Sequence, residues 1–183
     1  MKNGNKIFTF LFSIASLLVS PLALAHEQNL SSSFLTGLSH PITGLDHLLV
    51  LMIAGLFMGR LTAAKGLAFF SGLLMTLGLG VGGGLLPGSL PGSLAWLEVA
   101  ILLSLPVFLG LFYFRKSVSV SIAFFSMGLF MVFHGWVHGL ELAAMHSSFI
   151  FGLFLSSALV MGLSSLFSRF VAPSEITTEL YVR

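Results

Sequence analysis

Cysteine is absent from the 183 residues. Disulfides, thiolate metal ligands and cysteine nucleophiles are thereby excluded. Charge is nearly as scarce, with Asp, Glu, Lys and Arg making up 8% of the chain against about 25% in a soluble domain. Hydrophobic residues reach 56% and the mean hydropathy is +1.05. A globule of this size leaves much of its surface in water and has no room to hide so much apolar area; a bilayer accepts it. The formal charge of +2 arises from Lys2 and Lys6, outside which Lys/Arg and Asp/Glu balance. No basic patch for nucleic acid or anionic lipid remains. The phosphate-gripping pattern G-x-x-x-x-G-K-[S/T] is missing too, as are repeats, low-complexity linkers and any extramembrane stretch long enough to fold alone.

What is present is organised for a membrane. Residues 1–6 form a short basic stretch, 7–19 an apolar core, and Ala23-Leu24-Ala25 a small-x-small cleavage site, the pattern of a secretory signal peptide. Cleavage after Ala25 is expected, leaving His26 first. A spanning helix needs about 20 apolar residues. Segments 67–86, 94–114, 118–137 and 149–170 meet that length, and 34–59 is a fifth, interrupted in its first half by His40, Pro41, Asp46 and His47. The expected fold is all-α: a polytopic bundle of five transmembrane helices over 26–170 after a signal peptide at 1–25, with a short cytoplasmic tail at 171–183. Lys and Arg favour the cytoplasmic side. With the mature amino terminus outside, Arg60, Lys65, Arg115, Lys116 and Arg169 all fall inside without adjustment, and the carboxyl terminus is cytoplasmic.

The remaining ionisable groups then share one depth. His40, Asp46 and His47 lie in the outer half of the first helix, Glu98 near the outer start of the third, and His134, His138, Glu141 and His146 toward the outer end of the fourth. An acidic group at the centre of a bilayer helix costs about 2.5–3.5 kcal/mol on the insertion scale, so such residues usually face the bundle interior and mark ion or substrate paths. His134, His138 and Glu141 stand at i, i+4 and i+7, one face of a helix, and His40 and His47 are also seven apart. Asp46 lies about 100° round from His47 on a regular helix, where it either lines a site itself or orients an imidazole from behind. Pro41 disfavours helical geometry at His40, so a break is expected there. A lone membrane histidine such as His146 usually serves as an interhelical hydrogen-bond partner. Glu98 also reads as a helix-start carboxylate favoured by the dipole. Imidazole and carboxylate without sulfur suit divalent Ni, Zn, Co, Mn or Fe and argue against Cu(I).

His40-Pro41-Ile42-Thr43-Gly44-Leu45-Asp46-His47 resembles the H-P-x-x-G-x-D-H signature of the HupE/UreJ family of nickel permeases. Phe133-His134-Gly135-Trp136-Val137-His138-Gly139-Leu140-Glu141 is similar to its F-H-G-x-x-H-G-x-E. The resemblance spans essentially the whole mature chain. It implies a multi-pass protein of the bacterial inner membrane, not an enzyme and without a prosthetic group, that takes up Ni(II), and by extension Co(II), as a secondary transporter for hydrogenase or urease maturation. By motif match His40, Asp46, His47, His134, His138 and Glu141 become the metal path, with Glu98 added by position. Relatives often open with several histidines; here His26 stands with Glu27, and its imidazole and free α-amine make it a further candidate ligand. The bilayer and the divalent ion are the expected partners, nucleic acid is not, and a homo-oligomer is open. Two other classes use the same residues: a metal-binding accessory or sensor protein, and an intramembrane zinc hydrolase, although no H-E-x-x-H is present.

Overall fold

The computed structural model describes residues 33–86, 94–142 and 147–171. The expected signal peptide and nearly all of the expected tail lie outside these residues. The described chain folds into six helices: α1 (Phe34–Thr43), α2 (Leu45–Gly59), α3 (Ala63–Gly84), α4 (Leu94–Tyr113), α5 (Val120–Leu142) and α6 (Ser147–Val171). No strand occurs among the described residues. The last four helices are each long and apolar enough to cross a bilayer, and α1 with α2 forms a pair bent by 78°. The chain is thus an all-α, multi-pass membrane protein with four such helices, or five spans when the bent pair counts as one.

The bend corrects one expectation. The break was anticipated at His40–Pro41, but Pro41 sits inside α1 and the chain turns three residues later, at Gly44. Gly44 has φ −79° and ψ 104°, extended values that end one helix and begin the next. Few backbone groups are orphaned by the turn. Gly44 N–H donates to the His40 carbonyl at 3.0 Å and Leu48 N–H to the Gly44 carbonyl at 2.9 Å. The Thr43 hydroxyl donates to the Ser39 carbonyl at 3.1 Å. Burial of Gly37 and Pro41 against α6 overrides the local preference of a residue before proline. At Gly37 an added Cβ would overlap the Phe149 carbonyl.

Two helix pairs are packed backbone to backbone. Gly80 and Gly84 of α3 face Gly135 and Gly139 of α5, two small-x-x-x-small motifs set against each other. A Cβ at Gly80 would overlap the Val132 carbonyl, one at Gly84 the Trp136 carbonyl, and one at Gly135 the Leu77 carbonyl. Because these contacts advance together along both chains, α3 and α5 run parallel. In the same way Gly55 meets Met161 and Gly59 meets Ser165, so α2 and α6 run parallel. The Ser168 hydroxyl donates to the Leu56 carbonyl at 2.9 Å, tying that pair. Ser168→Ala is expected to lower thermal stability by about 0.6 kcal/mol, the average for such bonds in a membrane protein, with metal binding unchanged.

Parallel pairing fixes where charge goes. The carboxyl ends of α2, α4 and α6 and the amino ends of α3 and α5 share one end of the bundle. Arg60, Lys65, Arg115, Lys116 and Arg169, all the Lys and Arg among the described residues, therefore lie there, and the Arg169 guanidinium comes beside Gly66. The core between is apolar, centred on Val50, Ala54, Phe57, Leu73, Met127 and Met131. Large apolar side chains such as Met75, Phe125, Phe151 and Phe170 point outward and exposed, the pattern of helices that face lipid.

Candidate metal centre

The bend at Gly44 makes the centre. Seven residues of straight helix would set His40 and His47 about 10 Å apart along the axis. Turned at Gly44, their rings approach to a centroid distance of 5.1 Å. Gly44 is a tight spot, since a Cβ there would stand 3.2 Å from His47 Nδ1 and 3.4 Å from Asp46 Oδ1, and those side chains would have to give way.

Onto this corner α5 delivers two more imidazoles from its far half. His138 lies 4.7 Å from His40 and 5.3 Å from His47, ring centre to ring centre, and His134 lies 5.1 Å from His47. His40, His47 and His138 each offer a nitrogen, all within 4.8 Å of one another. Nitrogens sharing a metal at a bond length of about 2.0–2.1 Å stand about 3–3.5 Å apart, so modest ring rotations close the set around one ion. His134 and His138 are buried, at 4% and 1% exposure. Phe149 of α6 packs its ring edge-on to His40 at 5.8 Å and keeps the cluster dry on that side.

Two neighbours tune these rings. Asp46, in the first turn of α2, places Oδ1 3.0 Å from His47 Nδ1. It stands beside His47 and not among the three converging imidazoles, the position from which a carboxylate orients a ligand. Asp46→Asn is expected to weaken nickel binding by about 10–100-fold while leaving the melting temperature near wild type, read by equilibrium binding to purified protein. His134 Nδ1 lies 2.8 Å from the Phe130 carbonyl. A carbonyl only accepts, so Nδ1 carries the hydrogen and Nε2 presents a lone pair. His134 Nε2 and His47 Nε2 are both buried without a protein hydrogen-bond partner among the described residues. A buried polar atom left this way is costly, and a metal ion satisfies it.

The other candidates fall out differently. Glu98 is exposed on α4 and is not one of the groups in the imidazole cluster. Glu141 is in the last turn of α5, with its side chain outside the described residues, as are His146 and His26 entirely. Two residues escaped the sequence reading. Met131 and Ser157 line, with Pro41, a cavity of about 20 Å³ that also touches His47, His134 and His138. Met131 had a signal, standing three before His134 on one helix face. Ser157, on a distant helix, had none.

Comparisons with known proteins agree with the two motifs. The family described as "HupE / UreJ protein" matches residues 14–181. Protein HupE of Rhizobium leguminosarum bv. viciae is 29% identical over 160 residues, covering 84% of this chain and 82% of that protein. No solved structure matches the fold. Matched along nearly its whole length, the chain belongs to the HupE/UreJ family.

Proposed function

We propose that the protein is a secondary permease of the bacterial inner membrane that carries Ni(II), and Co(II) with it, inward from the periplasm to supply a metalloenzyme such as hydrogenase or urease. The observation that carries this reading is the convergence of His40, His47 and His138, from three helices of which α5 lies far from the other two in sequence, with nitrogens within 4.8 Å inside a bundle of apolar helices. Desolvated imidazoles among membrane helices mark an ion path more readily than a structural role. The positive end of the bundle, with Arg60, Lys65, Arg115, Lys116 and Arg169, sets the cytoplasmic side by the positive-inside rule. The imidazoles then lie toward the periplasm, the side on which cleavage of a signal peptide would leave the mature amino terminus.

The ion sheds water as it enters and exchanges it for neutral imidazole nitrogens. Inward movement of a divalent cation runs with the membrane potential, worth about 2.3 kcal/mol per charge per 100 mV, so no nucleotide-driven motor is needed. Protons compete for the same lone pairs. Nickel uptake is therefore expected to weaken on acidification. Proteoliposomes with an imposed negative-inside potential test the reading, with external pH stepped between trials. Accumulation of nickel that collapses with the potential and with acidification supports a permease. Tight binding with no flux would make the protein a metal-binding accessory, and no binding at all would remove metal from the account.

A further inference from the structure

Resting on the permease reading, we infer that the chain holds its ion at two successive positions, an outer one made by His40, His47 and His138 and an inner one where His134, Met131 and Ser157 face the cavity beneath it. The two positions share His47 and His138. Both line the cavity together with His134, Met131 and Ser157, whereas His40 is not on its wall. An ion that releases His40 and takes His134 Nε2 thus moves inward without leaving the two imidazoles it already holds.

Three features support the inner position. The first is the aim of His134. Its Nδ1 is tied to the Phe130 carbonyl at 2.8 Å, which holds the ring in one orientation, and its Nε2 is buried without a protein partner among the described residues. The second is space. A cavity of about 20 Å³ admits one water-sized body, enough for an ion stripped of its shell and too little for one carrying six waters. The third is direction. His134 lies one turn, about 6 Å, beyond His138 along α5, and Met131 about 4.5 Å beyond His134. Both steps lead toward the end of the bundle that carries Arg60, Arg115 and Arg169.

The donor set also sets the class of ion. A thioether is a soft, polarisable ligand. Imidazoles with one thioether and one hydroxyl suit soft and borderline first-row ions, Ni(II) and Co(II) among them. They disfavour Mg(II) and Mn(II), which prefer oxygen. Selection then occurs at the inner position, after a less discriminating capture outside.

The test measures Ni(II) affinity of the full-length protein in nanodiscs beside Ni(II) flux in proteoliposomes, for His40→Ala, His134→Ala and the near-isosteric Met131→Leu. His40→Ala is expected to weaken binding by about 100-fold and stop flux. His134→Ala is expected to keep affinity within about threefold and lower flux about tenfold. Met131→Leu, which conserves volume, is expected to keep affinity within about threefold, slow nickel flux, and narrow the preference for Ni(II) over Mn(II). Loss of affinity in His134→Ala equal to that in His40→Ala would mean a single four-imidazole site and overturn the inference. So would wild-type flux in both His134→Ala and Met131→Leu. Unchanged affinity in His40→Ala would also overturn it, because the outer position is built on that imidazole, whereas nickel binding without flux in the wild-type protein would defeat the permease reading itself, a result distinct from these.

Discussion

Replacing His138 is expected to abolish nickel accumulation while leaving the protein folded and inserted. His138 is the one residue of α5 in the imidazole triad, so without it the corner formed by α1 and α2 has nothing opposite to close against. Loss of a group that merely orients a ligand weakens metal sites by about 10–100-fold, and loss of a ligand itself should exceed that. The side chain is 1% exposed, so alanine would also leave a cavity, which at a buried site costs about 2–5 kcal/mol for large-to-small changes. His138→Leu separates the two effects, since it fills the space and offers no lone pair. Both variants should fail to accumulate nickel, and only the alanine variant should melt early. Full uptake by His138→Leu would show that the triad is structural.

The second large effect concerns the fold. Gly135→Leu should prevent stable assembly of α3 against α5. A Cβ at Gly135 would overlap the Leu77 carbonyl and press on the Val81 nitrogen at 2.9 Å. Overpacking that displaces flexible side chains costs about 1–3 kcal/mol. Here the obstacle is backbone, which has nowhere to go without parting the helices, so a loss of about 3 kcal/mol or more is expected. His134 and His138 ride on the same helix, so metal binding should disappear with the packing. Gly82 and Gly110, where an added Cβ meets nothing within 4 Å, provide the contrast. Gly82→Ala and Gly110→Ala should melt at or above the wild-type temperature, since glycine inside a helix is about 0.5–1 kcal/mol less favourable than alanine. Thermal unfolding in detergent, read beside yield from membranes, distinguishes these outcomes.

The spans were legible because hydropathy needs only composition over about 20 residues. The His134 and His138 pairing was legible because both lie on one helix, where spacing alone sets the face. The approach of His40 to His47 was anticipated for the wrong reason. A seven-residue spacing suggested a shared face of one helix, while the contact comes from a turn at Gly44. Local rules pointed to Pro41 as the break, and the packing of Gly37 and Pro41 against α6, a contact more than a hundred residues away in sequence, moved it. Glu98 shows the opposite failure. It was placed by depth, but depth alone does not say which way a side chain faces, and on α4 it is exposed. Ser157 was invisible because small polar residues on a membrane helix usually mean close packing. Only the arrangement of α2, α5 and α6 around one cavity gives it another role.

The central claim is that imidazoles from distant segments share one cation. X-ray absorption at the nickel edge, on purified full-length protein loaded with one equivalent of Ni(II), tests it most directly through the outer-shell scattering of coordinated imidazole rings. Three imidazoles on the bound nickel, falling to two in His138→Leu, is the result expected. A nickel coordinated by oxygen with no more than one imidazole, unchanged in that variant, would contradict the account.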